Sequence, residues 1–595
     1  MAHRLWILLV LGLPALSLPL PCLAAPNRDT RAFQALLTEE WDYTMEQAPD
    51  WASQLGDRRW NARWPDLSLA AFASRQAHGS NTLRRLQGIR RDRLAPADQL
   101  NFDLLEYETR LGLEDYGHGW HLFALNQREG IQTVSDMADA LRFATVQDYE
   151  DWVGRLQRFG PYLDQTIALL REGIRRGRVQ PKVTMQRVPG QIAKQLTATP
   201  EASPFYKPFT HFPAAIPAAD RARLAAAGRA AVAAEVLPAY GRLSAFFTNE
   251  YLPACLDGVG AWQVPGGAEA YAFLCRKFTT TDLTPQAIHD LGQSEVKRIA
   301  AAMQGIMDKV GFRGTRAEFF QFLRTDPRFY CRTPEELLQT YRAVAKQVDP
   351  LLVKISRRIP RAPYGVEPIP DAIAPDTTTA YYRVLAADGS RAGSYFVNLY
   401  KPETRPKWEM MALTLHEACP GHHFQFAVAF EQGELPPFRR YGGERAYTAY
   451  IEGWALYAES LGDDMGLYED PYAKFGQLTY EMWRAVRLVV DTGIHHLRWS
   501  RQQAIDFFLA HAAKSELDVI NEVDRYISWP GQALAYKVGE IKMQALRAKA
   551  TRALGDRFDL RDFNDTVLQT GAVPLHIVER TVDAWIAAQQ AGKAR

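Results

Sequence analysis

The stretch LTLHEACPGHHFQ, residues 413–425, combines histidine and glutamate in an order close to that of a zinc-hydrolase motif. In the motif His-Glu-x-x-His, two histidines one helical turn apart bind the metal and the glutamate activates a water molecule. Here Pro420 stands four residues after His416, and the next histidines are His422 and His423. This chemistry therefore requires a backbone other than a straight helix.

A proline and a glycine inside the stretch provide such a backbone. On a straight helix His422 would lie roughly 240° around from His416, and His423 would lie ~10 Å further along. Pro420 has no amide hydrogen for the carbonyl of residue 416, and its ring opens that turn. Gly421 tolerates backbone angles that other residues avoid. We therefore expect an opened turn that returns one of the two later histidines to the face of His416.

Two downstream glutamates could complete a metal site. Glu452 and Glu459 in YIEGWALYAES, residues 450–460, are seven positions apart, so a helix places them on one face. A zinc hydrolase binds its metal through three protein side chains and keeps one position for water. We expect one of these acids to be the third ligand, although a solvated helix acid is the alternative for either.

A third segment, EMWRAVRLVVDTGIHH at residues 481–496, carries polar side chains at four-residue steps. These are Arg487, Asp491 and His495. An aspartate beside a histidine can orient the imidazole ring, so Asp491 is a candidate for orienting His495. The alternative is a buried ion pair that holds the helix in place.

The segment WPGQALAYKVGE, residues 529–540, places Gln532 and Tyr536 one helical turn apart. The developing oxyanion of a hydrolytic reaction needs a hydrogen-bond donor besides a metal. His495 and Tyr536 are our candidates for that donor, and Gln532 is a candidate neighbour. A purely structural turn is the alternative for this segment.

The segments HEACPGHHFQ, EGWALYAE, RLVVDTGIHH and WPGQALAYKVG, in this order, resemble the bacterial family called domain of unknown function 885. That family is grouped with the gluzincin metallopeptidases (clan MA). The larger helical members of that group resemble thimet oligopeptidase, carboxypeptidase Taq and angiotensin-converting enzyme. The resemblance extends over nearly the whole mature chain and is most specific in its C-terminal third.

The resemblance implies a set of roles for the residues of this sequence. Relatives with an uninterrupted motif contain a Gly-His pair that aligns with Gly421 and the histidine after it. The implied zinc ligands are His416, His422 and Glu452. Glu417 is implied to be the general base, while His423 and Glu459 remain alternative ligands or neighbours of the site. The implied fold is a helical metallopeptidase.

The rest of the chain is predicted to be mainly α-helical, with two lobes and a deep central cleft. Residues 380–402, AYYRVLAADGSRAGSYFVNLYKP, are β-branched and aromatic enough to predict a hairpin with its turn near Asp388 and Gly389. We expect this small hairpin or sheet to lie beside the active-site helix. The strand at 394–400 could pair with an extended peptide by strand addition.

The predicted domain division follows from composition. Residues 1–24 have a basic start, an apolar stretch and a small-residue end, which predicts a signal peptide cleaved near Ala24. The proline-punctuated stretch at 359–376 predicts a boundary between a helical N-terminal lobe, residues 25–375, and a catalytic zinc-binding lobe, residues 376–595.

Export to the periplasm or the medium follows from the signal peptide, with a lipid anchor on Cys22 as the alternative. Nothing downstream reaches transmembrane length. Export makes disulfides possible, and Cys255 with Cys275 is the best candidate pair. Four separate buried thiols are the alternative, with Cys331 and Cys419 as the remaining two.

The functional expectation is an exported zinc peptidase that hydrolyses short peptides. The formal net charge of +2 gives no indication of a nucleic-acid partner. Three alternatives remain. The same site could hydrolyse another amide, such as a modified amino acid or a cell-wall fragment. The chain could be an inactive metal-holding protein that binds peptides, or a helical interaction protein without a metal.

Overall fold

The computed structural model covers nearly the whole chain after the predicted signal peptide. It describes residues 27–371, 374–376, 378–386, 389, 391–433 and 435–592. The signal peptide with Cys22, and Asp388 of the predicted hairpin turn, lie outside the described residues. The fold is mainly α-helical, as predicted.

Twelve helices of eight or more residues precede the sheet, with shorter helical turns between them. Their bounds are Arg28–Gln47 (α1), Leu69–Gln87 (α2), Pro96–His118 (α3), Val146–Leu156 (α4), Phe159–Arg175 (α5), Val188–Gln195 (α6), Ala218–Ala231 (α7), Leu237–Phe246 (α8), Gly267–Thr279 (α9), Pro285–Lys309 (α10), Arg316–Thr325 (α11) and Pro334–Val348 (α12).

Nine further helices of this length follow the sheet and carry the quoted motifs. Their bounds are Lys407–Glu417 (α13), His422–Glu431 (α14), Thr448–Met465 (α15), Pro471–His495 (α16), Arg501–His511 (α17), Glu516–Ser528 (α18), Ala535–Leu554 (α19), Leu560–Leu568 (α20) and Leu575–Gln590 (α21).

A small sheet lies between the two groups of helices. Its strands are Tyr364–Pro368 (β1), Ala380–Arg383 (β2) and Gly393–Val397 (β3), in the order β1-β3-β2. Strand β3 is antiparallel to β2, which confirms the predicted hairpin pairing, and parallel to β1. Because β3 has a partner on both sides, the expected addition of a peptide strand to residues 394–400 is wrong.

The core continues across the predicted boundary near residue 375. Helix α10 packs along α16, and a Cβ atom at Gly292 would lie 2.7 Å from Leu488 Cβ and 3.1 Å from the Val489 amide nitrogen. Apolar side chains of both helices belong to one buried cluster. The division into two lobes remains a prediction.

The four cysteines of the described chain are buried and free. Cys255 packs in a core cluster formed by the N-terminal helices, and its Sγ donates a hydrogen bond to the carbonyl of Tyr251 at 3.3 Å. Cys275 packs in a different cluster together with Cys419. The predicted Cys255–Cys275 disulfide is therefore wrong, because the two thiols belong to separate cores.

No helix within the described ranges combines the length and the apolar character needed to cross a membrane.

Helices α15 and α19 approach each other through two glycines. A Cβ atom at Gly539 would lie 2.0 Å from the Ala449 carbonyl oxygen, and one at Gly453 would lie 2.5 Å from Gly539 Cα. The backbones therefore touch where no side chain separates them. Gly453 directly follows Glu452, so this contact sets the position of a predicted metal ligand.

We expect Gly539→Ala to lower the midpoint of urea unfolding, because the added methyl forces α15 and α19 apart. Overpacking of this kind costs about 1–3 kcal/mol. Gly305→Ala is the matched control, since Gly305 is an exposed helix position where an added Cβ atom would have no neighbour within 4 Å. That change should be neutral or stabilise by up to ~1 kcal/mol. Equal midpoints for both variants would contradict the close helix contact.

Candidate metal centre

The motif folds as two helices separated by a four-residue break. Helix α13 ends at Glu417 and α14 begins at His422, with residues 418–421 outside both. The indole nitrogen of Trp454 on α15 donates a hydrogen bond to the Pro420 carbonyl at 2.8 Å, which ties the break to the neighbouring helix. The expected opened turn is thus a complete interruption of the helix.

Gly421 is required at the break for a steric reason. A Cβ atom there would lie 1.9 Å from the carbonyl oxygen of His416 and 2.4 Å from that of Leu415. The φ angle of Gly421 is −77°, so it is not in the left-handed region. The glycine lets the start of α14 press against the end of α13, which brings the second histidine back to the first.

Three ligand atoms converge beside this break. The Nε2 atoms of His416 and His422 each lie 3.5 Å from Oε2 of Glu452. All three atoms lie within 4.8 Å of one another, and the two imidazole rings are nearly perpendicular at 85°. Ligand atoms about 2.0–2.2 Å from a tetrahedral zinc ion are about 3.3–3.6 Å apart. The two nitrogen–oxygen distances therefore fit a site that could hold zinc.

The charges around the three converging atoms favour a cation at that place. Burial disfavours a charged His416 ring, but the carboxylates of Glu452 and Glu459 outweigh it and raise the pKa of His416 to about 9. Burial also opposes ionisation of Glu452, yet His416 and His422 hold its pKa well below the usual range. Glu452 Oε2 is buried without a hydrogen-bond partner. An oxygen left in this state is suited to a metal ligand.

Glu459 lies behind His416 and not among the converging atoms. Its Oε1 accepts a hydrogen bond from Nδ1 of His416 at 2.9 Å, and the side chain is fully buried. Nη2 of Arg484 lies 3.8 Å from the same oxygen. A carboxylate in this position fixes the ring orientation and leaves Nε2 of His416 to face the site.

His423 points away from the converging atoms and towards the sheet. Its Nε2 donates to the Ala362 carbonyl at 3.0 Å, so its Nδ1 accepts from the Tyr382 hydroxyl at 3.0 Å. Burial lowers the pKa of His423 to about 4, which keeps the ring neutral. With both ring nitrogens bonded elsewhere, His423 holds α14 against the sheet and does not reach the site.

Glu417 and Glu452 are the partly exposed residues of two otherwise buried runs in these helices. Between Trp408 and Ala429, where every residue is described, all residues except Glu417 are buried. In the run 449–459, Glu452 is the corresponding exception. Glu417 directly follows His416, and its charge contributes to the raised pKa of that ring. A general base must lie within hydrogen-bond reach of the proton that it accepts, so Glu417 is the candidate for that role.

Asp491 binds a different partner from the one expected. Its carboxylate accepts a hydrogen bond from the Tyr271 hydroxyl at 2.6 Å and from the Gly531 amide at 3.2 Å. Burial raises the pKa of Asp491 to about 7. The expected orientation of His495 by Asp491 is therefore wrong, and Asp491 instead anchors the turn that leads into α19.

His495 is likewise engaged with backbone groups. Its Nδ1 accepts from the Ala261 amide at 3.0 Å, and its Nε2 donates to the Tyr526 carbonyl at 2.9 Å. The ring is 1% exposed, and burial lowers its pKa to about 4. The expected role as oxyanion donor is wrong for His495, because neither nitrogen remains available.

Arg487 completes this face of α16. Its Nε donates to the Tyr526 hydroxyl at 2.9 Å and its Nη2 lies 3.0 Å from a Glu522 oxygen. The polar residues at four-residue steps on α16 therefore hold α18 and the following turn, which is the structural alternative stated for this segment.

Tyr536 keeps a hydroxyl proton to donate. Nη2 of Arg525 donates to the Tyr536 oxygen at 3.2 Å and also to Oε1 of Gln532. Arg484 lies 6.0 Å from the centre of the Tyr536 ring and, at the same time, 3.8 Å from Glu459. Tyr536 is thus one side chain away from the carboxylate that orients His416.

Arg484 and Arg525 are not among the residues predicted from the sequence. Arg484 lies three positions before Arg487 in a segment already singled out, so its place on the same helical side was a usable signal. Arg525 precedes the WPGQ segment, and nothing in the spacing of EVDRYISWPG connects it with Tyr536.

Two solved structures are similar to the chain. One is described as “the putative lipoprotein from Colwellia psychrerythraea”; it is 29% identical, with a TM-score of 0.88, over 94% of this chain and 99% of that chain. The other is described as “a putative lipoprotein of unknown function from Shewanella oneidensis”. It is 15% identical, with a TM-score of 0.69, over 92% of this chain and 99% of that chain, and it shows the shared fold alone.

No curated protein matches the chain. A family model, in contrast, covers most of it. The family described as bacterial protein of unknown function (DUF885) matches residues 49–582. This chain therefore belongs to the DUF885 family.

Proposed function

We propose that this chain is an exported zinc-dependent peptidase of the gluzincin type. The observation that carries the proposal is the convergence of His416 Nε2, His422 Nε2 and Glu452 Oε2. Beside it, Glu417 is the one residue of its helix pair between 408 and 429 that is not buried. Two imidazoles, one carboxylate and an adjacent accessible carboxylate form the donor set of a catalytic zinc site.

The three side chains would hold zinc with one coordination position left over. Zinc bound there would act as a Lewis acid that polarises a carbonyl oxygen and lowers the pKa of water to near 7. Glu459 keeps His416 oriented by accepting its Nδ1 hydrogen. The buried Oε2 of Glu452 supports this assignment, since it has no hydrogen-bond partner among the described residues.

Glu417 serves as the general base in this proposal. A carboxylate accepts a proton from the water that attacks the peptide carbonyl, and then delivers it to the leaving amine. The partial exposure of Glu417 supports the role, because the group must reach both water and substrate. Its neighbours along the chain are buried and stay fixed.

Tyr536 is the remaining candidate for stabilising the oxyanion. Arg525 donates to the phenol oxygen, which polarises the hydroxyl and leaves its hydrogen free to be donated. Arg484 lies near both Tyr536 and Glu459, which supports a location of Tyr536 next to the candidate metal centre. Short peptides are the proposed substrates.

Export to the periplasm or beyond supports the choice of extracytoplasmic peptides. The chain begins with a segment that has the pattern of a signal peptide. The two similar solved structures are described as lipoproteins, which fits export and keeps a lipid anchor on Cys22 as an option.

The purified mature protein should contain about one zinc ion per chain, as a single three-ligand site requires. His416→Ala and His422→Ala should each remove it, because each deletes a converging nitrogen. His423→Ala is the matched control and should keep most of the zinc, since its nitrogens bond Ala362 and Tyr382. Metal content is measured by inductively coupled plasma mass spectrometry. Loss of zinc from His423→Ala alone would refute the assignment.

Glu417→Gln should keep zinc and fold but lose several orders of magnitude in kcat, because an amide cannot accept the proton of water. The measurement is mass-spectrometric mapping of products from a mixed peptide pool, with and without a chelator. Wild-type cleavage that the chelator abolishes is the expected result. Near-normal turnover by the Glu417→Gln variant would contradict the role of Glu417 as general base. If the enzyme cleaves other amides but no peptide, the proposed peptide substrates are wrong and those amides take their place.

Tyr536→Phe should lower kcat by about 100- to 1000-fold with little change in KM or zinc content, as expected for one oxyanion donor. His495→Ala is the contrasting variant. It removes a buried ring that bonds two backbone groups, so the unfolding midpoint should fall while kcat per folded molecule stays nearly unchanged. The reverse pattern, with a catalytic defect only in His495→Ala, would contradict the structural assignment of this histidine.

A further inference from the structure

Three arginines from separate segments gather around Tyr536. The guanidinium carbon of Arg487 lies 4.4 Å from the centre of the Tyr536 ring, and that of Arg525 lies 5.9 Å from it. Arg128, from the N-terminal part of the chain, reaches the same group through its contact with Glu522. We call Arg128, Arg487 and Arg525 the arginine cluster.

The cluster has one carboxylate for three positive charges. Glu522 lies 3.0 Å from Arg487, 3.5 Å from Arg525 and 3.9 Å from Arg128. Burial opposes ionisation of Glu522, but the arginines outweigh it and lower its pKa to about 2. With Glu522 ionised, two positive charges remain without a counter-charge among the ion pairs of the described residues.

This excess of positive charge is costly without an anion. Arg487 is 3% exposed, and its Nη1 atom is buried with no hydrogen-bond partner. Buried charges in proteins are normally paired, since an unpaired one keeps most of its desolvation cost. The side chain of Arg128 is 44% exposed, so this member of the cluster is the one that a ligand in solvent can contact.

The excess does not extend to the neighbouring cluster of buried charges. In the nearby buried cluster around Lys537, the carboxylates outnumber the cations instead. Its members are Lys537, Arg298, Glu295, Glu481 and Glu540. The positive excess therefore belongs to the side of α19 that carries Tyr536 and does not extend to its Lys537 side.

The arginine cluster lies close to the candidate metal centre. Arg484 connects the two, because it lies 6.0 Å from the Tyr536 ring and 3.8 Å from the Glu459 oxygen that holds His416. An extended peptide spans ~3.3–3.6 Å per residue, so a short peptide held by its anion at the cluster would be long enough to reach the metal centre as well. Guanidinium groups bind carboxylates through two parallel hydrogen bonds, which also fixes the orientation of the ligand.

We propose that the arginine cluster binds a carboxylate of the peptide substrate, foremost its C-terminal carboxylate, so that the enzyme cleaves near free C-termini. The inference rests on the proposed peptidase function and names its substrate class. Every linear peptide has one terminal carboxylate, while acidic side chains are a second source of the same chemistry. The experiment therefore separates these two sources.

The test compares an N-acetylated pentapeptide with a free C-terminus and its C-terminal amide. It measures kcat/KM for the wild-type chain and, by isothermal titration calorimetry, Kd for the Glu417→Gln variant. The free acid should be favoured by about 10- to 100-fold in both quantities, as expected for a charge-assisted contact. A third peptide, amidated and ending in glutamate, shows whether a side-chain carboxylate restores binding and so supplies the anion instead.

Arg525→Gln should remove the preference for the free acid, read as the ratio of kcat/KM for the acid to kcat/KM for the amide, because the same change also removes a hydrogen bond to Tyr536 and lowers kcat for both peptides. Arg128→Gln is the second variant. Because the Arg128 side chain is 44% exposed, this change should leave the fold intact. Arg223→Gln is the control for net charge, because Arg223 is exposed and pairs with Asp220 and Glu150 elsewhere. It should keep the full preference.

The outcomes distinguish this inference from the proposed function. Equal cleavage of the acid and the amide by the wild-type chain would overturn the carboxylate site and leave the peptidase proposal standing. Arg525-dependent binding of the free acid without cleavage of either peptide would support the site and overturn the peptidase proposal. Neither binding nor cleavage of any of the three peptides would overturn both.

Discussion

The arrangement of the candidate site depends on the hydrogen bond between His416 Nδ1 and Glu459. It is buried, and it decides which nitrogen of His416 faces His422 and Glu452. Without it the ring could turn, and the three ligand atoms would no longer share one point. Glu452 and Glu459 lie on the same face of α15, so one helix supplies both the converging oxygen and the group that orients its partner.

The surrounding helices make this arrangement rigid through close backbone contacts. Gly421 lets α14 press against the end of α13, and Gly453 with Gly539 lets α15 touch α19. Asp491 bonds the Gly531 amide and thereby fixes the turn from which α19 starts. Because α19 carries Tyr536, the candidate metal ligands and the candidate oxyanion donor are held by one continuous set of packed helices.

Local signals in the sequence predicted which three side chains converge better than they predicted the side chains around them. Pro420 and Gly421 indicate an interrupted helix. Helical spacing puts Glu452 and Glu459 on one face, but that spacing cannot decide which of them joins the two histidines. The four-residue step from Asp491 to His495 suggested a pair within α16, but each side chain bonds a different segment. The place of Arg525 depends on how α18 packs against α16, which no local pattern encodes.

We propose that His416, His422 and Glu452 bind zinc while Glu459 and His423 do not. A crystal structure of the mature protein, with anomalous diffraction data collected on both sides of the zinc absorption edge, tests it most directly. We predict one zinc peak about 2.0–2.2 Å from the two Nε2 atoms and the Glu452 oxygen. Zinc bound through Glu459 or His423, or no zinc peak at this point in protein purified without chelator, would contradict it.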